Sequence, residues 1–267
     1  VKGMTWDQIE ENIDVVWEDV YKDGRALKDE VPLDNTEIFY RRINLSPRDV
    51  LKIQRRFEDL RNYYYATSPE PTEGGLELLK KNMGRKYLEE VKMQYAIKEA
   101  KKHVDEGKKV IMFAHRAAGE ESSGSKEETL AAYEMHLMRE GIPTARLFGD
   151  LTVSEKKAQV AKFQDGNAKI ALATPGAGGT GISLDDVYGD APRVTMIVTP
   201  PYSALELVQM IGRASRLTTQ TKSQVVIPLT THHVDNWNIG ITLRKLGALK
   251  ATVKGDVKNP EGFKELQ

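Results

Sequence analysis

Two arginines and a run of glycines are the residues of this chain best suited to hold phosphate. Gln209-Met210-Ile211-Gly212-Arg213-Ala214-Ser215-Arg216 has the form Q-x-x-G-R-x-x-R. A guanidinium is a planar fork of donors that matches phosphate oxygens two at a time and stays charged at any working pH. A spacing of three puts both arginines on one side of a helical turn. Alone, the pattern fits two surface arginines equally well. Upstream, Gly176-Ala177-Gly178-Gly179-Thr180-Gly181 fits G-x-G-x-x-G after a run of strand type. This is the dinucleotide fingerprint, which needs an acidic residue at the end of the next strand to hold the ribose. Here that strand ends in Thr199-Pro200-Pro201, and Asp185, Asp186 and Asp190 all precede it. A tight turn needs glycines too. The third reading is an anion nest, in which successive backbone N–H groups face a phosphate.

These groups must be positioned by the elements around them. Trp6, Ile9, Ile13, Val16 and Val20 recur at three and four over residues 5–21, which predicts an amphipathic helix opened by a Thr5/Gln8 capping box. Its apolar face is expected to pack on the rest of the protein. Turn formers follow over 22–35. A strand is predicted over 36–45, then a helix capped by Ser46 with Pro47 at its first position and Asp49 completing the box. Val50, Ile53, Phe57, Leu60 and Tyr64 line one side of that helix, and Arg41, Arg42, Arg55 and Arg56 read as a solvated basic cluster. Pro69, Pro71, Gly74 and Gly75 make 66–84 the best candidate boundary. The expected division is therefore 1–36, an N-terminal helix and linker; 37–84, a strand, a helix and a Pro/Gly-rich connector; and 85–267, a larger domain.

Beyond residue 84, strands and helices alternate. Strands are predicted at 109–114, 144–148, 169–173, 193–198 and 223–228, and helices near 85–106, 126–140, 153–164, 203–212 and 234–246. This alternation predicts an α/β fold with a parallel sheet flanked by helices, preceded by a mostly helical N-terminal segment. Ligands in such sheets sit at the carboxyl ends of strands, so the loops after Ala114, Ala173 and Val198 are where chemistry belongs.

Composition narrows the classes. The chain has 267 residues, 39 Lys+Arg against 39 Asp+Glu, and no cysteine. A disulfide scaffold, a Cys-ligated zinc site and a cysteine nucleophile are excluded. Zero net charge argues against coating nucleic acid by bulk charge but permits a local basic groove. No apolar stretch approaches the roughly twenty residues a membrane helix needs. No membrane association and an intracellular setting, cytoplasmic or nuclear and compatible with a viral source, are expected. No secretory leader is visible at the front, and the numbering starts at Val1, as inside a longer parent chain. Adjacent His232 and His233 are expected to point apart and to hold no metal. Tyr64 of Tyr63-Tyr64-Tyr65 is expected in the core with its neighbours at the surface. Ser122, Ser123 and Ser125 have no base nearby in sequence.

Order and spacing single out one reading. An apolar strand ending in His115-Arg116 comes first, then Gly149, Phe163 and Gly166, then Thr174 to Leu184, then the paired arginines. This constellation resembles the C-terminal, second RecA-like domain of superfamily-2 helicases and translocases. Val110 to Arg116 looks like motif IV, Ala173 to Leu184 like motif V in its Swi/Snf-type form, and Gln209 to Arg216 like motif VI. Leu246-Gly247-Ala248-Leu249 is similar to the Strawberry notch group. The resemblance covers about 37–255.

The resemblance implies that two RecA-like domains close on ATP and Mg2+ while nucleic acid, DNA favoured over RNA, crosses both. Arg216 would be the arginine finger on the γ-phosphate with Arg213 beside it, and Gln209 and Gly181 would help to hold the nucleotide. Thr174, Gly176 and Gly178, with His115 and Arg116, would touch the nucleic-acid backbone. Pro175, Gly176 and Ser183 depart from residues common in relatives, with Asp185 or Asp186 as the nearest acids for a ribose. No G-x-x-x-x-G-K-[ST] occurs in the sequence. The N-terminal RecA-like domain of the parent chain is thus an expected partner, and this chain alone is expected not to be an efficient ATPase. The alternative is a non-enzymatic nucleic-acid or nucleotide-binding module that keeps the fold.

Overall fold

The computed structural model describes residues 36–114, 128–148, 151–175, 182–216 and 218–254. The predicted N-terminal helix, His115, Arg116, Gly149 and the glycines Gly176, Gly178 and Gly181 lie outside the described residues.

Six strands form one sheet: β1 (Thr36–Ile43), β2 (Lys109–Phe113), β3 (Thr144–Leu147), β4 (Ile170–Ala173), β5 (Arg193–Ile197) and β6 (Ser223–Thr230). Their order is β1-β6-β5-β2-β4-β3, and every neighbouring pair is parallel. All carboxyl ends therefore share one edge of the sheet. The described residues form six helices, of which the first five lie between strands and the last follows β6: α1 (Pro47–Thr67), α2 (Glu73–Asp105), α3 (Glu128–Arg139), α4 (Val153–Gln164), α5 (Ala204–Ile211) and α6 (His233–Lys254).

The central strands are buried on both faces, which is why their sequences are continuously apolar rather than alternating. Val110 and Met112 meet Ile97 and Ala100 of α2 and Leu130, Tyr133 and Leu137 of α3. Ile111 and Phe113 face the other way, onto Phe163 of α4, Leu207 and Ile211 of α5 and Ile239 of α6. Each such side chain contributes roughly 1.5–3 kcal/mol when fully buried. Alternation thus survives inside an apolar run as a choice between two cores. Edge strand β1 pairs with β6 from Thr36↔Ser223 to Ile43↔Thr230, yet only Ile43 of its residues is buried.

Several caps follow the sequence. Ser46 caps α1: its Oγ accepts from Asp49 N at 3.1 Å and donates to Asp49 Oδ2 at 2.7 Å. Thr152 and Glu155 form a reciprocal capping box that starts α4 at Val153.

The main difference concerns residues 66–84. Glycines and prolines there predict a connector, but α2 begins at Glu73, capped by Thr72, and runs unbroken to Asp105. The residue-84 division falls inside this helix. Gly84 is in the helix for a packing reason: a Cβ there would lie 2.9 Å from Phe57 Cζ of α1 and 3.2 Å from the Val234 methyls of α6. Helices α1, α2 and α6 meet at this point around Ile53, Leu88, Val91 and Val234. Gly84→Val should therefore destabilise the protein by about 1–3 kcal/mol through overpacking, measured as a lower urea midpoint with unchanged slope. An unchanged midpoint would mean that the three helices do not approach so closely. Tyr64 also departs from expectation. It is half-buried rather than in the core, and its hydroxyl accepts from Thr72 N at 3.2 Å, bracing the α1–α2 turn.

Candidate functional site

The arginine pair sits where α5 ends. The helix stops at Ile211, so Arg213 and Arg216 lie on the turns after it and not on one helical turn as the spacing predicts. They converge for a different reason. Arg213 Nη1 donates to Ile182 O at 3.0 Å, and Arg216 Nη2 donates to the same oxygen at 3.1 Å. The backbone repeats the connection, with Leu184 N donating to Arg213 O at 3.1 Å. The segment that follows the glycine run is thereby tied to the arginine turn.

Both guanidiniums are half-buried, and no described carboxylate pairs with either. Arg216 Nε is buried without a hydrogen-bond partner. Burial pushes the pKa of Arg213 down, and the like charge of Arg216 adds to this. Two cations held on one neutral carbonyl leave several N–H donors and a net positive field for an anion of matching shape. Phosphate oxygens fit that donor set.

The shelf beneath is built from acids of the loop before β5 and hydroxyls of the stretch after Arg216. Asp185 and Asp186 are fully buried. Asp185 accepts from Ser183 Oγ and from Thr218 Oγ1 at 2.8 Å. Thr219 Oγ1, in turn, accepts from Arg216 N at 2.7 Å. Asp186 accepts from Thr221 Oγ1 at 2.7 Å and from Asp190 N at 3.1 Å. These acids clamp the arginine turn to the loop before β5 and are not free to reach a ribose. The Thr218-Thr219-Gln220-Thr221 run, just after Arg216, was the available sequence signal for hydroxyl partners.

A second clamp fixes the far end of that loop. Arg193, fully buried, donates from Nε to Leu184 O at 3.1 Å and from Nη2 to Gln164 Oε1 at 3.0 Å and Asp190 Oδ1 at 3.2 Å. Lys109 donates to Gln164 O at 2.8 Å and pairs with Asp190. Partial burial opposes ionisation of Asp190, but Lys109, the Asp186 contact and Arg193 outweigh it and hold the carboxyl at about 2, against an ordinary 3.8. A depressed carboxylate stabilises the fold fully above its ordinary range and loses that effect as pH falls through its folded value. Asp190→Asn should therefore lower the urea midpoint at pH 5–7, with the gap closing as pH falls from 4 toward 2. A gap that stays constant over that range would refute the assignment.

Thr174 and Pro175 stand at the carboxyl end of β4, on the same sheet edge as the loop after β5. Gln209 is exposed on α5 and makes no side-chain hydrogen bond to a described residue. The two histidines do not point apart. His232 stacks on Phe57 at 5.5 Å, and the His233 ring lies 4.5 Å from it. Among the described residues no group of three His, Cys, Asp or Glu could hold a metal, and no helix is long and apolar enough to cross a membrane.

Residues 91–218 match the family described as helicase conserved C-terminal domain. A relative from Acanthamoeba polyphaga mimivirus, described as putative ATP-dependent RNA helicase L364, is 25% identical over 209 residues. The match covers 78% of this chain and 36% of that protein, so the chain spans about a third of the relative's length. Two solved structures are similar at 14% identity and a TM-score of 0.54. One is the C-terminal part of the Fun30 ATPase domain, with 78% of this chain and 88% of that one covered. The other is the Sulfolobus solfataricus SWI2/SNF2 ATPase C-terminal domain, with 85% and 96% covered. The two solved structures share the α/β, RecA-like fold of this chain.

Proposed function

We propose, from the resemblance of this chain to the C-terminal RecA-like domain of superfamily-2 helicases, that it is the second motor half of an ATP-dependent nucleic-acid helicase or translocase. One observation carries the reading: Arg213 and Arg216 share the Ile182 carbonyl, with Arg216 Nε unpaired and no described carboxylate neutralising them. In phosphoryl transfer, negative charge spreads over the γ-oxygens, and a positioned arginine stabilises it. Arg216 is the finger, Arg213 its neighbour, and Gln209, exposed on α5, helps to hold the nucleotide together with Gly181 of motif V.

The donor set here fits the phosphates of ATP. Mg2+ would neutralise the phosphate oxygens when bound, and its ligands would come from the first motor domain. Thr174, Gly176 and Gly178, with His115 and Arg116, are the residues that meet the nucleic-acid backbone. Contacts to phosphate carry no sequence information, which suits a motor that steps along any sequence. DNA is the favoured substrate, from the Swi/Snf-type form of motif V. Residues 85–267 carry the motor surface and 37–84 lead into it with β1 as the sheet's edge, the two sharing helix α2, and 1–36 precede them in sequence. ATP use implies an intracellular setting.

The test measures ATP turnover by this chain alone and with a phosphate-loop domain supplied, each with duplex DNA and duplex RNA. Turnover is expected only in the second case, stimulated more by DNA. Robust turnover by the chain alone would overturn the division of labour. Nucleic-acid binding without any turnover in the joined form would favour a non-enzymatic module.

A further inference from the structure

Edge strand β1 leaves a groove of about 810 Å³ between itself and α2. Its floor is apolar: Met196 of β5 and Val226 and Pro228 of β6. In register, Arg41 lies opposite Pro228 and Phe39 opposite Val226, so this is the sheet face that α2 covers farther in. Here α2 leaves β1 open, and seven of its eight residues are not buried. The rim is basic. Arg42 of β1 and Lys98 and Lys102 of α2 line it and have no ion-pair partner among the described residues. Glu99 on the same rim pairs with Arg41 at 3.9 Å. An open sheet edge above an apolar floor requires a cover.

The chain carries a segment of complementary character directly upstream of β1. Residues 5–21 hold Asp7, Glu10, Glu11, Asp14, Glu18 and Asp19 and no lysine or arginine. Trp6, Ile9, Ile13, Val16 and Val20 share one face at helical spacing. Residues 22–35 join this segment to Thr36. Fully extended, such a tether reaches up to about 46–50 Å, farther than the roughly 27 Å length of β1. The segment can therefore reach any point of the groove. We propose that the acidic amphipathic segment 5–21 docks in the groove between β1 and α2 of its own chain, with its apolar face on Met196, Val226 and Pro228 and its carboxylates among Arg42, Lys98 and Lys102. Docking gives the open edge a cover and gives three solvated cations partners. It is independent of the motor reading above.

The absence of cysteine makes the test clean. In the full chain, Ile13→Cys is combined with Lys98→Cys, or as a control with Met138→Cys, an exposed site on α3 near the opposite edge of the sheet. Mild oxidation should form the intramolecular disulfide at least tenfold faster in the first pair. Arg42→Glu with Lys102→Glu should slow it several-fold, and Glu10→Lys with Asp14→Lys added to that background should restore it. Lys98 and Met138 are both exposed, so the two pairs, which share Ile13→Cys, should match each other in circular dichroism. Equal rates in the two pairs would overturn the proposal. Disulfides only between chains would assign the groove to a second copy. A photoreactive single-stranded DNA captured at Lys98, with no Ile13–Lys98 disulfide, would assign it to nucleic acid. Either of these last two results overturns docking by the segment.

Discussion

Arg216→Ala is expected to lower kcat of the assembled ATPase about 10³–10⁵-fold, while the affinity for nucleic acid stays within a few-fold. The size follows from what the residue does. Its Nη2 already donates to Ile182 O at 3.1 Å, which fixes the plane of the fork and leaves the remaining donors aimed by that plane. Charge that develops only in the transition state then meets a cation that needs no reorganisation. Arg216→Lys should rescue little, because an ammonium cannot hold the carbonyl and two phosphate oxygens in the geometry of a planar fork. Stability should change by no more than the roughly 0.5–1.5 kcal/mol of one hydrogen bond, so an unfolding control separates lost chemistry from lost fold. Steady-state turnover at saturating ATP reads the effect. A kcat within tenfold of wild type would remove Arg216 from the finger role and leave Arg213 as the remaining candidate.

Much of this arrangement is legible in the sequence. The helix predicted near 153–164 is α4, whose bounds rest on local groups, the Thr152–Glu155 box before it and Gly166 after it. The parallel sheet follows from alternating apolar strands and helices. What is not legible depends on distance in space. Gly84 reads as a breaker, and only the approach of Phe57 and Val234 turns it into a packing requirement. Asp185 and Asp186 read as candidate ligands, and only the return of Thr218 and Thr221 makes them clamps. The convergence of Arg213 and Arg216 reads as helical geometry, whereas a carbonyl at Ile182, some thirty residues upstream, produces it. Local periodicity has no access to any of these partners, because each is set by a crossover connection.

The same distance effect produces the largest expected change in stability. Lys92 and Asp235 are a fully buried ion pair at 2.7 Å, joining α2 to the first turn of α6. Burial pushes the Lys92 ammonium down, against the pull of Asp235. Lys92 also donates to Val198 O at 3.1 Å, and Asp235 accepts from Thr230 N at 2.8 Å and Thr230 Oγ1 at 2.9 Å. Asp235→Ala should cost about 3–5 kcal/mol, because it strands a buried cation rather than merely removing a contact. Lys92→Met should cost a similar amount by stranding the carboxylate. The double variant Lys92→Met/Asp235→Leu should cost clearly less than the sum of the two, since neither charge is then left alone, although Val198 O and Thr230 still lose their partners. Urea midpoints of the four proteins give the coupling, and additive losses would show that the pair is two separate anchors. The consequence reaches the arginine turn through the backbone. Arg85 and Asn238 hold Pro200 O at 2.9 and 3.2 Å, and Thr242 holds Pro201 O. The stretch that enters α5 is thus gripped at successive carbonyls by side chains from α2 and α6. Because Arg213 and Arg216 hang on the far end of α5, the buried pair sets where the cations stand as well as how firmly the helices pack.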